Sequence, residues 1–145
     1  MSDVAERSVT VARQWIGTPY RHQSAVKGAG ADCLGLLRGV WRELYGEEPE
    51  AVPAYTADWS EPEGEERLWQ AAARHLRPVA RFEPFATGQV LLFRLREGAV
   101  AKHVGLVAEI ADRATFIHAY SGHAVVESPL SAPWIRRVVA RFEFP

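Results

Sequence analysis

The hydrophobic residues of this chain change their spacing near residue 84, and that change limits the folds open to it. Before this point, apolar residues recur every three or four positions, as they do on the buried face of a helix. After it, they follow a period of two, which is typical of strands. Because the links between these strands are mostly short, antiparallel pairing is favoured. Helices followed by strands predict an α+β domain, with N-terminal helices packed on a C-terminal antiparallel sheet.

Three helices are expected in the first half of the chain. The first has the apolar stripe Ala5, Val9, Ala12, Trp15 and Ile16, and it ends at Gly17. The second runs over residues 32–45, with Asp32 as its N-cap and Gly46 just after its last turn. The third begins at a capping box in residues 60–63 and buries Leu68, Trp69, Ala72 and Leu76. The predicted strands are 89–95, 103–110, 115–120, 124–127 and 134–144.

The length and composition of the chain predict one domain over residues 1–145. Apolar residues make up 48% of the 145 residues, which is enough for a hydrophobic core. The net charge of −1 gives no attraction to nucleic acid or anionic lipid, and no stretch reaches the roughly 18 apolar residues of a membrane helix. Residues 1–7 include acids and lack the basic start of a secretory signal. We expect a protein made in the cytoplasm, with no nucleic-acid partner and no membrane insertion.

The sequence contains one cysteine, Cys33, at the predicted start of the second helix. The unpaired N–H groups and the dipole of a helix N-terminus stabilise a thiolate, so this position suits a nucleophile. A free cysteine is also often a small buried apolar residue, and that role alone would explain it. Gly30 and Gly35, on either side, indicate that other parts of the chain approach this backbone closely, which favours the catalytic interpretation.

Two histidines in the strand region could serve such a nucleophile. A four-residue hairpin loop over 109–112 places His103 directly opposite His118 on one face of the sheet, with Cβ atoms about 4.5–5.5 Å apart. His118 then hydrogen-bonds one ring nitrogen of His103 and leaves the other for Cys33, as in a nucleophile–base–orienter triad. These residue types also bind zinc, but the closely spaced ligand pairs of structural zinc sites are absent, and we expect no metal or cofactor. Weaker candidates, in loops or near a helix end, are His22, His75 and His123.

Five motifs, in the same order along the chain, resemble those of the NlpC family of papain-like cell-wall cysteine peptidases. They are Thr18-Pro19-Tyr20, Ala31-Asp32-Cys33-Leu34-Gly35-Leu36, Gly88-Gln89-Val90-Leu91-Leu92-Phe93, His103-Val104-Gly105-Leu106-Val107 and Phe116-Ile117-His118-Ala119. Residues 32–49 are similar to a narrower group, the small peptidases encoded among the tail genes of phages and of phage-derived gene transfer agents. A wall enzyme of that group would travel in the tail and need no secretory signal.

The resemblance implies a papain-like domain in which Cys33 is the nucleophile, His103 the base and His118 the residue that orients the base. It also implies that Tyr20 lies beside the thiolate and stabilises the oxyanion, and that Asp32 has a structural role. The implied activity is cleavage of peptidoglycan stem peptides, commonly between γ-D-glutamyl and a diamino acid. The implied partners are that stem peptide and the tail or hub proteins of a phage-like particle, and the implied site of action is the periplasmic cell wall.

The chain departs from the family pattern in three places. Leu34 follows the cysteine where many relatives have serine, the loop 21–30 lacks the usual Trp-Gly-Gly-like sequence, and the spacing between the two histidines is a few residues longer. Two other functions stay open: a catalytically silent tail-hub module that binds peptidoglycan, or a papain-like acyltransferase or amidase with another substrate. Trp59 and Trp134 suit either a docking surface or the core.

Overall fold

A computed structural model describes residues 3–52, 55 and 64–145. The expected capping box at residues 60–63 and the expected docking residue Trp59 lie outside the described residues. The start expected for the third helix was wrong, because residues 64–66 are not helical and the helix begins at Arg67. The helices are α1 (Asp3–Arg13), α2 (Cys33–Tyr45), α3 (Arg67–His75) and α4 (Ala132–Ile135). The strands are β1 (Ala25–Val26), β2 (Gly30–Ala31), β3 (Arg77–Pro78), β4 (Gln89–Phe93), β5 (His103–Val107), β6 (Thr115–Ala119), β7 (Val125–Pro129) and β8 (Val138–Glu143).

The predicted α+β class is confirmed, with helices first and an antiparallel sheet after them. Six strands form this sheet in the order β3-β8-β4-β5-β6-β7, and every neighbouring pair is antiparallel. The short strands β1 and β2 form a separate hairpin immediately before α2. Among the described helices, none has the length and apolarity needed to cross a bilayer.

Strands β4 and β5 are buried along their whole length, which shows that both faces of the sheet are covered there. The larger core lies between the sheet and helices α1 to α3, and it includes Val9, Val40, Leu68 and Val104. A smaller aromatic core on the opposite face contains Phe93 and Phe116. A strand buried on both faces reads as a nearly continuous apolar run, and Gln89–Phe93 fits that pattern.

The last predicted strand was wrong at its start. Residues 134–144 were expected to be extended, but Trp134 belongs to α4 and β8 begins only at Val138. Pro133 explains the difference, since proline is favoured in the first turn of a helix. Ser131 occupies the N-cap position, but its side chain makes no capping hydrogen bond. The short helix holds Trp134 against the aromatic core.

Candidate active site

The N-terminus of α2 is built around the buried carboxylate of Asp32. Its Oδ1 accepts a hydrogen bond of 2.7 Å from the backbone N–H of Gly35. Asp32 is thus the N-cap of α2, as predicted. A Cβ atom on Gly35 would lie 1.8 Å from the carbonyl oxygen of Ser24. Glycine is therefore required here, as the sequence predicted, because a loop backbone passes directly over the first turn.

The second oxygen of Asp32 fastens that loop to the helix. Oδ2 accepts a hydrogen bond of 2.7 Å from the backbone N–H of Gln23 and a short one from the hydroxyl of Tyr55. Gln23 has a φ of 65°, so the loop turns through a left-handed conformation at this point. Asp32 is only 2% exposed, and its three donors balance the cost of burying its charge.

Cys33 is the first residue of α2 and packs on the helical face of the sheet. Its sulfur lies 3.8 Å from the carbonyl oxygen of Lys102, the residue before His103. Burial raises the pKa of the thiol to about 12, although the backbone N–H of Val104 acts in the opposite direction. The sequence had suggested a lowered pKa from the helix N-terminus, but in this closed site the loss of water outweighs that effect.

His103 and His118 are joined by a hydrogen bond, which confirms the predicted contact. His103 Nε2 lies 2.8 Å from His118 Nδ1, and both rings are buried. The predicted pairing, with His103 directly opposite His118, was wrong by two residues. Leu106 pairs with Ile117, and continuing this register places His118 opposite Gly105. Because the shift is an even number of residues, both imidazoles still face the same side of the sheet.

Gly105 makes the diagonal contact between the two histidines possible. Diagonal neighbours in an antiparallel pair have Cα atoms about 7–8 Å apart, within reach of an aromatic side chain. A Cβ atom on Gly105 would lie 2.7 Å from Cδ2 of Phe116 and 3.3 Å from Cβ of His118. The absent side chain therefore leaves the space in which Phe116 and His118 are held.

Burial keeps both imidazoles neutral at neutral pH. Burial and then His118 lower the pKa of His103 to about 3, and burial and then His123 lower the pKa of His118 to about 4. Trp134 closes this side of the site, with its ring centroid 5.7 Å from that of His103 and 5.2 Å from that of His118. The thiol and both imidazoles are therefore uncharged at neutral pH. Cys33 packs on the helical face of the sheet and His103 against the aromatic core of the other face, and among the described residues the sulfur's hydrogen bond is to the Lys102 carbonyl and not to an imidazole.

Tyr20 is held beside the start of α2 by main-chain bonds on both sides. The Ala31 N–H donates to the Pro19 carbonyl at 3.0 Å, and the Arg21 N–H donates to the Ala31 carbonyl at 3.2 Å. Burial, followed by the charges of Cys33 and Asp32, raises the pKa of Tyr20 to about 12, so the phenol keeps its proton. In the described part of the chain the hydroxyl has no hydrogen-bond partner, which leaves it available as a donor.

Sequence reasoning missed Ser128. Its Oγ lies 3.0 Å from Nε2 of His118, on the side of the ring opposite His103. The signal was present, because residues of β7 that alternate with Val126 face the same side as His118. The predicted strand ended at Glu127, one residue too early to include it.

An apolar cavity of about 260 Å³ is lined by residues of α2 and by Val104 of β5. Leu34, the residue after Cys33, contributes to its wall together with Leu37, Trp41 and Val104. The departure from the serine of the NlpC pattern at this position therefore adds an apolar side chain to the wall of this cavity. Of the three weaker histidine candidates, His75 lies away from the site, where it pairs with Glu50. The other two border it: His22 Nδ1 lies 3.8 Å from Oδ2 of Asp32, and His123 stacks on Tyr120.

Cysteine and histidine are also the usual ligands of zinc. Across residues 3–52, 55 and 64–145, no three histidine, cysteine or acidic side chains are grouped so that they could hold a metal ion. The Cys33 sulfur instead contacts the Lys102 carbonyl, and His103 and His118 are hydrogen-bonded to each other.

The sequence matches no protein-family model and no curated protein. The fold, however, matches solved structures along almost the whole chain. The NlpC/p60 domain of the peptidoglycan hydrolase SagA superimposes with a TM-score of 0.62 at 20% identity, covering 97% of this chain and 98% of that domain.

Two longer proteins give similar superpositions. An NlpC/P60 family protein from Bacillus cereus has a TM-score of 0.65 at 18% identity, with 97% of this chain and 40% of that protein covered. The structure of Ly7917 with the hydrolysing product of MDP gives 0.62 at 18% identity, with 97% and 63% covered. The chain thus spans about two fifths of the first protein and under two thirds of the second. The chain has the papain-like fold of the NlpC/P60 domains.

Proposed function

We propose that this protein is a cysteine hydrolase that cleaves the peptide stems of peptidoglycan. One observation carries the proposal. The sulfur of Cys33 contacts the carbonyl of Lys102, and the next residue, His103, is hydrogen-bonded to His118. A thiol at a helix N-terminus, a base and a group that orients the base are the parts of a nucleophilic site for acyl transfer.

The reaction proceeds in two steps. The sulfur of Cys33 attacks the carbonyl carbon of the substrate while His103 takes the thiol proton. The C–N bond then breaks, His103 gives its proton to the departing amine, and an acyl thioester remains on Cys33. In the second step His103 removes a proton from water, the resulting hydroxide attacks the thioester, and the thiol is regenerated.

Burial holds His103 neutral before attack, although the same lowered pKa makes it a weaker base. A neutral imidazole has a free lone pair for the thiol proton, whereas an imidazolium does not. A positive charge forms on His103 during attack while a negative charge develops on the substrate oxygen. Each charge stabilises the other in a site from which water is largely excluded.

Tyr20 and the backbone N–H of Cys33 are the proposed donors to that oxygen. The Tyr20 hydroxyl keeps its proton, since burial raises its pKa to about 12, and the N-terminal N–H groups of α2 have no partner within the helix. Donors that are fixed before the reaction stabilise an oxyanion without the cost of reorganising water.

The substrate class is supported by the structural neighbours and by the sequence motifs. SagA is a peptidoglycan hydrolase, and Ly7917 was crystallised with the hydrolysing product of MDP. The five motifs of the NlpC resemblance support stem-peptide cleavage, and the bond proposed is that between γ-D-glutamyl and the diamino acid.

Digestion of isolated sacculi tests the activity. The parent protein, Cys33→Ala and Cys33→Ser are incubated with purified peptidoglycan, and the soluble products are identified by mass. We expect products from the parent alone, with new termini at the γ-D-glutamyl carboxyl and the diamino acid amine. Products from both parent and Cys33→Ala would contradict the role of Cys33, and no products from a folded parent would favour the silent binding module.

We propose in addition that the enzyme is carried by the tail of a phage-like particle, where it contacts tail or hub proteins and opens the periplasmic wall during DNA delivery. The similarity of residues 32–49 to tail-encoded peptidases supports this role. Purified particles from a producing strain should contain the chain in a fixed ratio to the tail proteins. Its presence only in the soluble lysate, and never in particles, would contradict the tail role without touching the hydrolase activity.

A further inference from the structure

We infer that Ser128 is a positioning residue of the active site, which holds His118 in the orientation that makes His103 a base. The inference rests on the proposed function. It concerns a fourth side chain, beyond the nucleophile, the base and the residue that orients the base.

The three side chains lie on one slanted line across three strands. His118 is opposite Val126 in the pairing of β6 with β7, and Ser128 is two residues further along β7. His103 stands in the same relation to His118, because the residue opposite His118 on β5 is Gly105. Each step goes one strand across and two residues along, so all three side chains share one face of the sheet.

The hydrogen bonds along this line use both nitrogens of His118. Nδ1 lies 2.8 Å from His103 Nε2, and Nε2 lies 3.0 Å from Ser128 Oγ. Turning a ring held at both nitrogens breaks two hydrogen bonds, whereas turning a ring held only at Nδ1 breaks one. Phe116 stacks on one side of the His118 ring with centroids 4.1 Å apart, so the contact with Ser128 completes the restraint.

The proton positions needed for catalysis follow from these contacts. For Nδ1 of His103 to accept the thiol proton, its hydrogen must be on Nε2, where it is donated to His118 Nδ1. His118 then carries its own hydrogen on Nε2 and donates it to Ser128 Oγ. If Ser128 is replaced by alanine, this buried N–H loses its acceptor, which is the costly way to break a hydrogen bond.

Nothing else in the described structure offers His118 Nε2 an acceptor. Trp134 and Tyr120 contact the ring with their own rings, at centroid distances of 5.2 and 5.7 Å, and so supply shape and exclude water. The hydroxyl of Ser128 is thus the polar end of the line that runs from His103 through His118.

The test compares Ser128→Ala with Ser128→Thr and with Thr115→Val. Threonine keeps a hydroxyl at the same position. Thr115 lies on the neighbouring strand, where its hydroxyl contacts Glu127 at 2.7 Å and not the histidines, so its loss controls for general weakening of the sheet.

We expect Ser128→Ala to lower kcat on a stem peptide about three- to tenfold, the equivalent of one ordinary hydrogen bond, with KM within twofold of the parent value. Ser128→Thr should restore kcat to within twofold, and Thr115→Val should leave kcat unchanged. An unchanged kcat in folded Ser128→Ala, or an equal loss in Thr115→Val, would overturn the inference.

A second measurement needs no activity. ¹⁵N NMR of the histidine rings shows which nitrogen of His118 carries hydrogen. We expect a single form, with hydrogen on Nε2, in the parent and in Ser128→Thr, and a mixture of forms in Ser128→Ala. The same spectrum in all three proteins would overturn the role of Ser128. If the parent shows the expected spectrum but cuts no peptidoglycan, the proposed function fails while the positioning of His118 by Ser128 stands.

Discussion

The carboxylate of Asp32 holds the start of α2 through its hydrogen bonds. The substitution Asp32→Asn removes the charge of this group with almost no change in the shape of the side chain. Three donors face this carboxylate: the N–H of Gly35 at Oδ1, and the N–H of Gln23 and the hydroxyl of Tyr55 at Oδ2. Whichever way the asparagine amide is turned, its NH₂ group faces at least one of these donors. The substitution therefore leaves one or two buried donors without an acceptor.

The magnitude follows from that count. A buried donor without a partner costs about 1–3 kcal/mol, and the remaining bonds weaken because the acceptor is no longer charged. We expect the free energy of unfolding to fall by about 2–4 kcal/mol, which lowers Tm by about 5–15 °C for a chain of this size. The substitution should also change the pKa of the Cys33 thiol. Burial is the main cause of the raised pKa of Cys33 and the charge of Asp32 adds to it, so the variant should lower that pKa.

Two assays check these opposite effects. Urea unfolding followed by circular dichroism gives the free energy, and alkylation by iodoacetamide between pH 7 and 10 reports Cys33, which is the only cysteine. Asp112→Asn makes the same chemical change at an exposed hairpin residue and should cost less than about 0.5 kcal/mol. If both variants unfold at the same urea concentration, or if Asp32→Asn moves alkylation to higher pH, this explanation of the helix start is wrong.

Three further predictions concern the other parts of the site. Burial and His118 lower the pKa of His103 to about 3 in the folded chain from an ordinary 6.5, so the unfolded chain binds more protons below pH 6.5 and stability falls as the pH falls. Between pH 7 and pH 5 this group should cost about 2 kcal/mol in urea unfolding, and an equal pH dependence in His103→Gln would contradict it. Gly105→Ala places a Cβ atom 2.7 Å from buried Phe116 and should lower stability by about 1–3 kcal/mol, whereas an unchanged urea midpoint would show that the sheet has room there. Tyr20→Phe removes a hydroxyl with no partner among the described residues, so Tm should hold while kcat on a stem peptide falls about 10²–10³-fold, and an unchanged kcat would remove Tyr20 from the mechanism.

The sequence predicted the elements that carry strong periodic signals. The second helix was expected at 32–45 and is found at Cys33–Tyr45, because both of its caps, Asp32 and Gly46, are residues with clear capping preferences. The short strands β1, β2 and β3 were not predicted. A two-residue strand has no periodicity, and its existence depends on a partner that is distant in the chain.

In the site, the contact between the histidines was predicted correctly, whereas the strand register and the pKa of the cysteine were not. The contact between His103 and His118 was expected, but from a register two residues away from the true one. Loop length alone cannot choose between registers that keep the same residues facing inward, and Gly105, which permits the diagonal contact, has no side chain to reveal the choice. The raised pKa of Cys33 was missed because burial is a property of the whole fold, whereas the helix N-terminus is visible in the local sequence.

The central claim is that His103 takes the proton of Cys33. The rate at which iodoacetamide alkylates the single cysteine at pH 7, in the parent and in His103→Gln, measures this directly, with circular dichroism to show that both are folded. If His103 is the base, the parent should react at least about tenfold faster than the variant, since glutamine cannot accept the proton. Equal rates in two folded proteins would show that the thiol and the imidazole do not work together.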